Sequence, residues 1–142
     1  ETSIGLDRMF LAVFSNALTE EQLDNNTTRT VLKLPAVLAP TKAAILPLVK
    51  KDGLPEVAKN IVADLRWDFN VFYDEKDAVG KRYRRQDAAG TPFCITVDHD
   101  TLEDNKVTIR HRDTMEQKRV NIEDLKEIIK QEVDVKHWLM KM

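Results

Sequence analysis

The stretch that decides the predicted fold is Gly80–Asp100, GKRYRRQDAAGTPFCITVDHD. Four of the five residues 81–85 are basic, a small-residue break follows at 88–90, and the apolar run Phe93–Val97 ends in carboxylates. The pattern predicts a basic helix that stops at Gly90, then a buried strand that delivers polar residues to one sheet edge. Taken alone, the stretch is more typical of a solvated basic helix beside an ordinary core strand, because basic helix faces are common.

Segments on both sides of this stretch alternate between strand and helix. Before it, the sequence predicts a buried strand at 43–48, a helix at about 55–68 and a short strand at 70–73. After it come an alternating strand at 106–112, a short return strand at 117–120 and a final helix. This order predicts the α/β class: a mixed sheet flanked by helices, with antiparallel strands at one edge.

Composition limits the classes of function. The 142 residues carry a net charge of −2, so any nucleic-acid site must be a local patch on a near-neutral body. The single cysteine, Cys94, suits a reducing compartment, and no apolar run approaches the roughly 20 residues that span a bilayer. We expect no signal peptide, and because the chain opens inside an apparent motif we expect a piece of a longer protein.

The opening residues form a separate unit in this interpretation. Residues 1–18 contain apolar positions at helical spacing, with nothing before them to pack on, and Arg8 lies in the first turn. An arginine beside the exposed N–H groups of a helix start could hold a phosphate, although a plain surface arginine explains it equally well. Residues 19–30 are polar and predict a linker, and residues 31–142 form the second unit.

No complete catalytic or metal site is evident from the sequence. The three histidines lack metal-ligand spacing, so we expect no metal. Cys94 lies in a predicted core strand, where a small apolar filler is more common than a nucleophile. Asp98 and Asp100 lie in a polar turn, which favours solvated carboxylates over an acid–base pair.

Binding of a polyanion is better supported than catalysis. The basic helix and the predicted outward face of strand 106–112, which carries Arg110 and Arg112, could converge on one ligand. We expect Asp98, Asp100, Arg112 and Asp113 to emerge at the carboxyl ends of the strands, where open α/β sheets bind ligands. Unpaired RNA bases stack on rings such as Tyr83, and carboxylates can accept from a cytosine amine.

Two sets of motifs resemble a known family. ETSIGLDR, followed by the apolar helix, resembles motif 3 of class II aminoacyl-tRNA synthetases in its glycyl version. LPAVLAPTKAAILPL, GKRYRRQDAAGTPFCITVDHDT and VTIRHRDTMEQKRVNIEDL resemble the anticodon-binding domain of homodimeric glycyl-tRNA synthetases. The resemblance implies a class IIa anticodon-binding domain of about five strands at 31–142, preceded by a remnant of a catalytic domain at 1–18.

The resemblance also implies chemistry and partners. The family joins glycine to its tRNA with ATP and Mg²⁺, works as a homodimer and is cytoplasmic. By motif, Arg8 would hold the ATP phosphates and Glu1 and Ser3 would line the glycine pocket. Motifs 1 and 2 are missing, so we expect no bound cofactor and no glycine activation from this chain by itself. The expected contacts to the anticodon of glycine tRNA are Arg84, Arg85, Asp98, Arg110, Arg112 and Asp113.

Three alternatives remain open at this point. One is the anticodon-binding domain of another class IIa synthetase, which shares the fold; the motif ETSIGLDR argues against it. Another is a non-catalytic accessory subunit of the same fold, which would not need Arg8. The least specific is an α/β interaction module without an RNA ligand.

Overall fold

The computed structural model describes residues 2–23 and 26–142, and its main feature is a five-stranded mixed sheet. The strands are β1 (Leu18–Gln22), β2 (Thr28–Leu32), β3 (Ala43–Pro47), β4 (Val71–Tyr73), β5 (Phe93–Val97), β6 (Lys106–His111) and β7 (Gln117–Asn121). The helices are α1 (Leu6–Ala17), α2 (Leu54–Leu65), α3 (Val79–Ala89), α4 (Thr101–Asp104), α5 (Leu125–Val133) and α6 (Val135–Met140). A 3₁₀ turn, Ile122–Asp124, leads into α5.

The sheet confirms the α/β prediction. Its order is β4-β3-β5-β6-β7, with β3, β4 and β5 parallel and with β6 and β7 each antiparallel to the preceding strand. The predicted buried strand at Phe93–Val97 has those same bounds, and all five of its residues are buried. The antiparallel hairpin lies at one edge, as the alternating pattern of 106–112 indicated.

One face of the sheet holds the main apolar core. Strand residues at alternate positions, such as Ile45, Ile95 and Val107, are fully buried in one apolar cluster with Leu54 of α2 and Ile129 of α5. The alternation of strand side chains puts the neighbouring residues on the other face. The apolar stripes of α2 and α5 therefore cover one face of the sheet, and other elements cover the second face.

Helix α3 covers part of the second face. Tyr83 packs there on Ala44, Leu46 and Cys94. Gly90 ends the helix at φ 80°, as predicted, and a Cβ at this position would lie 3.1 Å from the carbonyl oxygen of Leu32. Glycine is therefore needed both for the backbone conformation and for the close approach of β2.

The predicted linker at 19–30 is wrong as a description of this segment. Strands β1 and β2 pair antiparallel from Leu18↔Leu32 to Gln22↔Thr28, and α1 runs directly into β1. The strand pattern was hidden because β1 has no buried residue and because the buried residue of β2 that falls within the predicted linker is a charged one, Arg29, which is 2% exposed. Apolar alternation cannot reveal a strand whose buried side chain is polar.

The apolar stripe of α1 lies outside the core, as its sequence indicated. Leu6 and Phe10 are 77% and 65% exposed, and they line a groove of about 340 Å³ with Leu34, Leu38 and other apolar residues. Among the described residues, no helix combines the length and the apolarity that crossing a membrane requires.

Candidate nucleic-acid interface

The structure corrects the predicted exposure of Arg110 and Arg112. Both were expected on an outward face of β6, but they are 5% and 3% exposed. Their face of the strand is the one that α3 and the β1–β2 hairpin cover. The side chains of β6 alternate between the two faces as predicted, but the sequence pattern could not show that the polar face is also buried.

Arg110 belongs to a buried arginine cluster, which consists of Arg29, Asp87 and Arg110. Arg110 donates to the Asp87 carboxylate through both terminal nitrogens, at 2.8 and 3.0 Å, and Arg29 Nη1 donates to it at 3.1 Å. Asp87 is fully buried. The Arg110 guanidinium also lies over the Tyr83 ring, 4.9 Å from its centroid. The cluster therefore ties α3, β2 and β6 together, because paired charges can be buried where single ones cannot.

Arg112 acts as a backbone clamp. Its terminal nitrogens donate to the carbonyl oxygens of Gly90 (2.8 Å) and Leu34 (2.7 Å), and Nε donates to Asp113 (2.7 Å). Burial alone would raise the pKa of Asp113, but the Arg112 guanidinium outweighs it and the pKa lies below its ordinary value. The main donors of Arg112 are thus committed to this protein's own backbone.

The predicted site residues lie at opposite ends of the sheet. Asp98 follows the carboxyl end of β5, whereas Arg112 donates its backbone N–H to Pro92 at the amino end of that strand, 2.9 Å away. The antiparallel pairing Phe93↔His111 places Asp113 at this same amino end. A five-residue strand separates the two ends by roughly 17 Å. The expectation that Asp98, Arg112 and Asp113 emerge together is therefore wrong.

Helix α3 distributes its basic side chains in two directions. Arg82 points inward, is 2% exposed and donates to the carbonyl oxygens of Pro47 (2.6 Å), Leu48 (3.2 Å) and Asp74 (3.2 Å). Arg84 is exposed and donates to the carbonyl oxygen of Thr28 at 2.9 Å.

Arg85 is the second outward-facing arginine of α3. It is exposed and pairs with Asp74 at 2.7 Å and with Asp77 at 2.8 Å, and these two carboxylates raise its pKa. Both Arg84 and Arg85 remain available to a phosphate, as their sequence suggested, because exposed ion pairs exchange partners at little cost.

A second arginine–carboxylate pair lies on the open part of this face. Arg119 donates to Asp98 through Nη1 at 2.8 Å and through Nη2 at 3.2 Å, and to Asp104 through Nε and Nη2, both at 3.0 Å. The Arg119 and Asp98 side chains are 30% and 22% exposed. Partial burial would raise the pKa of Asp98, but hydrogen bonds from Arg119 and Thr101 outweigh it, so the pKa lies below the ordinary value and the group is an ionised acceptor.

We call the surface around this pair the open patch; its residues are Tyr83, Thr96, Asp98, Thr108, Gln117 and Arg119. All but Arg119 line a depression of about 280 Å³, and Arg119 lies beside Asp98 and opposite Thr108 on the neighbouring strand. The Tyr83 hydroxyl shares a hydrogen bond of 2.6 Å with Thr96 Oγ1. The patch combines an aromatic ring, hydroxyls, an amide and one ion pair, a set that suits the edges of unpaired bases.

Sequence reasoning missed Arg119, Thr108 and Gln117. The alternation of 106–112 placed Thr108 on the same face as Arg110, and the return strand pairs Thr108 with Arg119. A register for that hairpin would have been needed to place Arg119 beside Asp98, and the five residues between β6 and β7 do not define one.

The residues expected to bind ATP and glycine lie far along the chain from this patch. Glu1 lies outside the described residues. Ser3 and Arg8 are both exposed; Ser3 precedes α1 and Arg8 lies in its first turn. Their proposed roles remain predictions.

Neither a metal site nor a reactive thiol is evident in the part of the chain that the structure describes. Residues 2–23 and 26–142 contain no group of three or more His, Cys, Asp or Glu side chains placed to hold a metal ion. Cys94 is 2% exposed, and burial raises the pKa of its thiol to about 12. A thiol held neutral in the core is a packing residue, as its strand position indicated.

Comparison with known proteins gives a consistent family. A family model described as an anticodon binding domain matches residues 42–132. Glycine–tRNA ligases are the similar curated proteins: 58% identity over 129 residues in Rhodopirellula baltica and 53% over 134 residues in Clostridium tetani. These alignments cover 88% and 94% of this chain but only 24% and 28% of the relatives, so the chain spans about a quarter of their length.

Solved structures agree on the fold. The RNA binding domain of threonyl-tRNA synthetase from Cryptosporidium parvum aligns with a TM-score of 0.64 and 26% identity, over 70% of this chain and 25% of that one. Prolyl-tRNA synthetase from the same organism aligns with a TM-score of 0.67 and 21% identity, over 72% and 22%. The second likeness concerns the fold alone.

Proposed function

This chain belongs to the anticodon-binding domain family, and we propose that it binds the anticodon loop of glycine tRNA as part of a glycine–tRNA ligase. The observation that carries the proposal is the identity of 50–58% with glycine–tRNA ligases over 88–94% of the chain. Identity to the threonyl and prolyl structures is 26% and 21%, which favours the glycine enzyme over another class IIa synthetase.

The open patch is the proposed RNA surface. Apart from Thr96, which is buried, its side chains are partly or fully exposed on a part of the sheet that α3 leaves uncovered. Exposed Arg84 and Arg85 lie on the outward side of that helix. We assign base contacts to the patch, through Asp98 among others, and phosphate contacts to the two arginines. Arg110 and Arg112 stabilise the fold in this proposal and do not contact the RNA, because their donors are occupied inside the protein.

The longer protein would supply the rest of the reaction. We propose that it is cytoplasmic and homodimeric, that it binds ATP with Mg²⁺ and glycine, and that Arg8, Ser3 and Glu1 contribute to those sites as the motif resemblance implies. A glycine-dependent exchange of pyrophosphate into ATP by the longer protein, reduced by Arg8→Ala, is the expected readout.

Binding of a glycine tRNA anticodon hairpin to the 142-residue chain tests the RNA proposal. We expect the dissociation constant to be about tenfold or more below that for a hairpin with a scrambled loop, because base contacts add to phosphate contacts. Arg85→Ala should weaken the binding of both hairpins by a similar factor. It should also reduce by about 1 the slope of log affinity against log salt concentration.

The matched control for Arg85→Ala is Lys126→Ala. It also removes one exposed positive charge, but on α5, where Lys126 pairs with Asp68 at 2.7 Å. This variant should leave both dissociation constants unchanged. Equal affinity of the unmodified chain for both hairpins would refute the proposed function.

A further inference from the structure

The β1–β2 hairpin connects two regions to which the proposed function gives different tasks. On one side it continues α1 directly, because β1 begins at the residue after the last residue of that helix. This last residue, Ala17, is buried against Leu32 and Leu34. Its carbonyl oxygen accepts from the backbone N–H of Lys33 at 2.7 Å. The β1–β2 hairpin therefore sets the direction of α1, the helix that carries Arg8.

On the other side the β1–β2 hairpin lies along α3, the helix that carries the proposed phosphate contacts. Arg84 Nη1 donates to the carbonyl oxygen of Thr28, the first residue of β2, at 2.9 Å. The last residue of β2, Leu32, lies so close to Gly90 that a Cβ there would be 3.1 Å from the Leu32 carbonyl oxygen. Strand β2 is therefore held against α3 from its first residue to its last.

Arg29 is the central contact between the β1–β2 hairpin and α3. Its Nη1 donates to Asp87 Oδ2 on α3 at 3.1 Å and to the carbonyl oxygen of Arg112 at 3.0 Å. Its Nε donates to Glu21 Oε2 on β1 at 2.7 Å, and its side chain is 1% exposed. One planar group thus binds β1, α3 and the residue after β6 in fixed directions, which a lysine cannot do from a single nitrogen.

This ionic contact fixes an orientation more narrowly than an apolar contact does. Apolar contacts are non-directional and keep much of their free energy when two elements slide, whereas hydrogen bonds weaken steeply away from their preferred angles. A buried charge that loses its partner also keeps its desolvation penalty, which disfavours intermediate arrangements. We therefore expect the β1–β2 hairpin and α3 to move as one body.

We infer that the β1–β2 hairpin holds α1 and α3 in one fixed relative orientation, with Arg29 as the positioning residue, an inference that rests on the proposed function. A tRNA presents its anticodon and its amino-acid-accepting end at opposite ends of a long, stiff molecule. A small rotation between α1 and α3 therefore becomes a large displacement of the accepting end from the proposed site near Arg8. Arg29 affects the transfer of glycine to tRNA without contacting RNA, ATP or glycine.

The test compares three activities of the longer protein with and without Arg29→Lys. Glycine-dependent exchange of pyrophosphate into ATP reports on the proposed site near Arg8, and the dissociation constant of the glycine anticodon hairpin reports on the RNA surface. We expect both to stay within about twofold of the unmodified protein, whereas the single-turnover rate of charging intact glycine tRNA falls by roughly 10- to 100-fold. A misplacement of the reacting end by about 1 Å is sufficient for such a loss.

A second variant loosens the same connection without changing Arg29. Insertion of two glycines between Ala17 and Leu18 separates α1 from β1, and it should lower the charging rate by a similar factor while exchange and anticodon-hairpin binding are retained. The control is Ile129→Ala, which removes buried volume from the apolar core on the opposite face of the sheet. At a temperature where the control is folded, it should retain all three activities.

The outcomes separate this inference from the proposed function. A folded Arg29→Lys protein that keeps its charging rate, or an insertion variant that keeps it, overturns the inference and leaves the proposed function standing. A loss of all three activities by a similar factor in Arg29→Lys also overturns it, because Arg29 would then support only the fold. If Arg29→Lys does not fold, the insertion variant alone decides. Equal affinity of the unmodified protein for glycine and scrambled hairpins refutes the proposed function, and the inference with it.

Discussion

Two arginine–carboxylate pairs lie on the same face of the sheet, and they differ mainly in what covers them. Arg110 holds Asp87 at 2.8 and 3.0 Å, and Arg119 holds Asp98 at 2.8 and 3.2 Å. The side chains of the first pair are 6% and 0% exposed, and those of the second are 30% and 22% exposed. Similar hydrogen-bond geometry therefore supports the fold in one place and is available to a ligand in the other.

The difference follows from the cost of leaving a charge unpaired. A buried guanidinium or carboxylate that loses its partner keeps its full desolvation penalty, so the Arg110–Asp87 pair cannot open for a ligand. An exposed pair exchanges partners with water and ions at little cost. A basic residue of this sequence can therefore be assigned to ligand recognition only when the structure shows whether other elements bury it.

The largest expected effect comes from breaking the buried arginine cluster. Asp87→Ala leaves Arg29 and Arg110 buried without their common carboxylate, and we expect it to lower the free energy of unfolding by about 3–5 kcal/mol. The corresponding change in the open pair, Asp98→Ala, should cost about 1 kcal/mol, mostly through the lost hydrogen bonds from Thr101. Urea denaturation measures both, and comparable losses would remove the distinction between the two pairs.

Arg112 provides the next largest effect and a direct contrast with the sequence-based expectation. Arg112→Met leaves the carbonyl oxygens of Gly90 and Leu34 without these donors, which should lower the free energy of unfolding by about 2–3 kcal/mol. The folded variant should bind the glycine anticodon hairpin as tightly as the unmodified chain. A selective loss of hairpin affinity in a stably folded variant would instead favour a direct RNA contact.

The pH dependence of the free energy of unfolding tests whether the Cys94 thiol is buried on the covered part of this face. Burial raises the pKa of its thiol from 9.0 to about 12, so above pH 9 the unfolded chain releases this proton while the folded chain retains it. Stability from this group is present below pH 9 and is lost as the pH rises towards 12. At pH 10 the loss should be about 1 kcal/mol.

Cys94→Ala is the matched variant for that experiment. Its free energy of unfolding, measured in urea from pH 8 to pH 10, should decline less steeply than that of the unmodified chain. Identical slopes of the free energy of unfolding against pH would mean that α3 and the β1–β2 hairpin do not bury the thiol.

Tyr83 lies between the buried arginine cluster and the open patch. Removal of its hydroxyl should have the smallest effect on the free energy of unfolding. Tyr83→Phe removes the 2.6 Å hydrogen bond to Thr96 but keeps the ring under Arg110, so we expect a loss of about 0.5–1.5 kcal/mol. Tyr73→Phe, which removes a hydroxyl bonded to Glu75 at the β4 edge, is the control. A loss of several kcal/mol for Tyr83→Phe would indicate that the hydroxyl supports the buried cluster.

The sequence by itself determined the elements of the main sheet and much of its family resemblance. The apolar run Phe93–Val97, the stop at Gly90 and the alternation before Arg112 depend on local periodicity and backbone conformation, which neighbouring residues encode. The helix that carries Arg84 and Arg85 was also predicted, because its spacing and its stop are local features, and the contact of these two residues with RNA stays a prediction.

Only the tertiary structure decided which charged residues face solvent. The hairpin that buries Arg29 lies 58 residues before Asp87, and the antiparallel register that separates Asp98 from Arg112 depends on pairing between strands. The register of β7 likewise brought Arg119, which the motifs did not identify, against Asp98. Burial of a charge depends on partners distant in the chain, and local patterns carry no information about them.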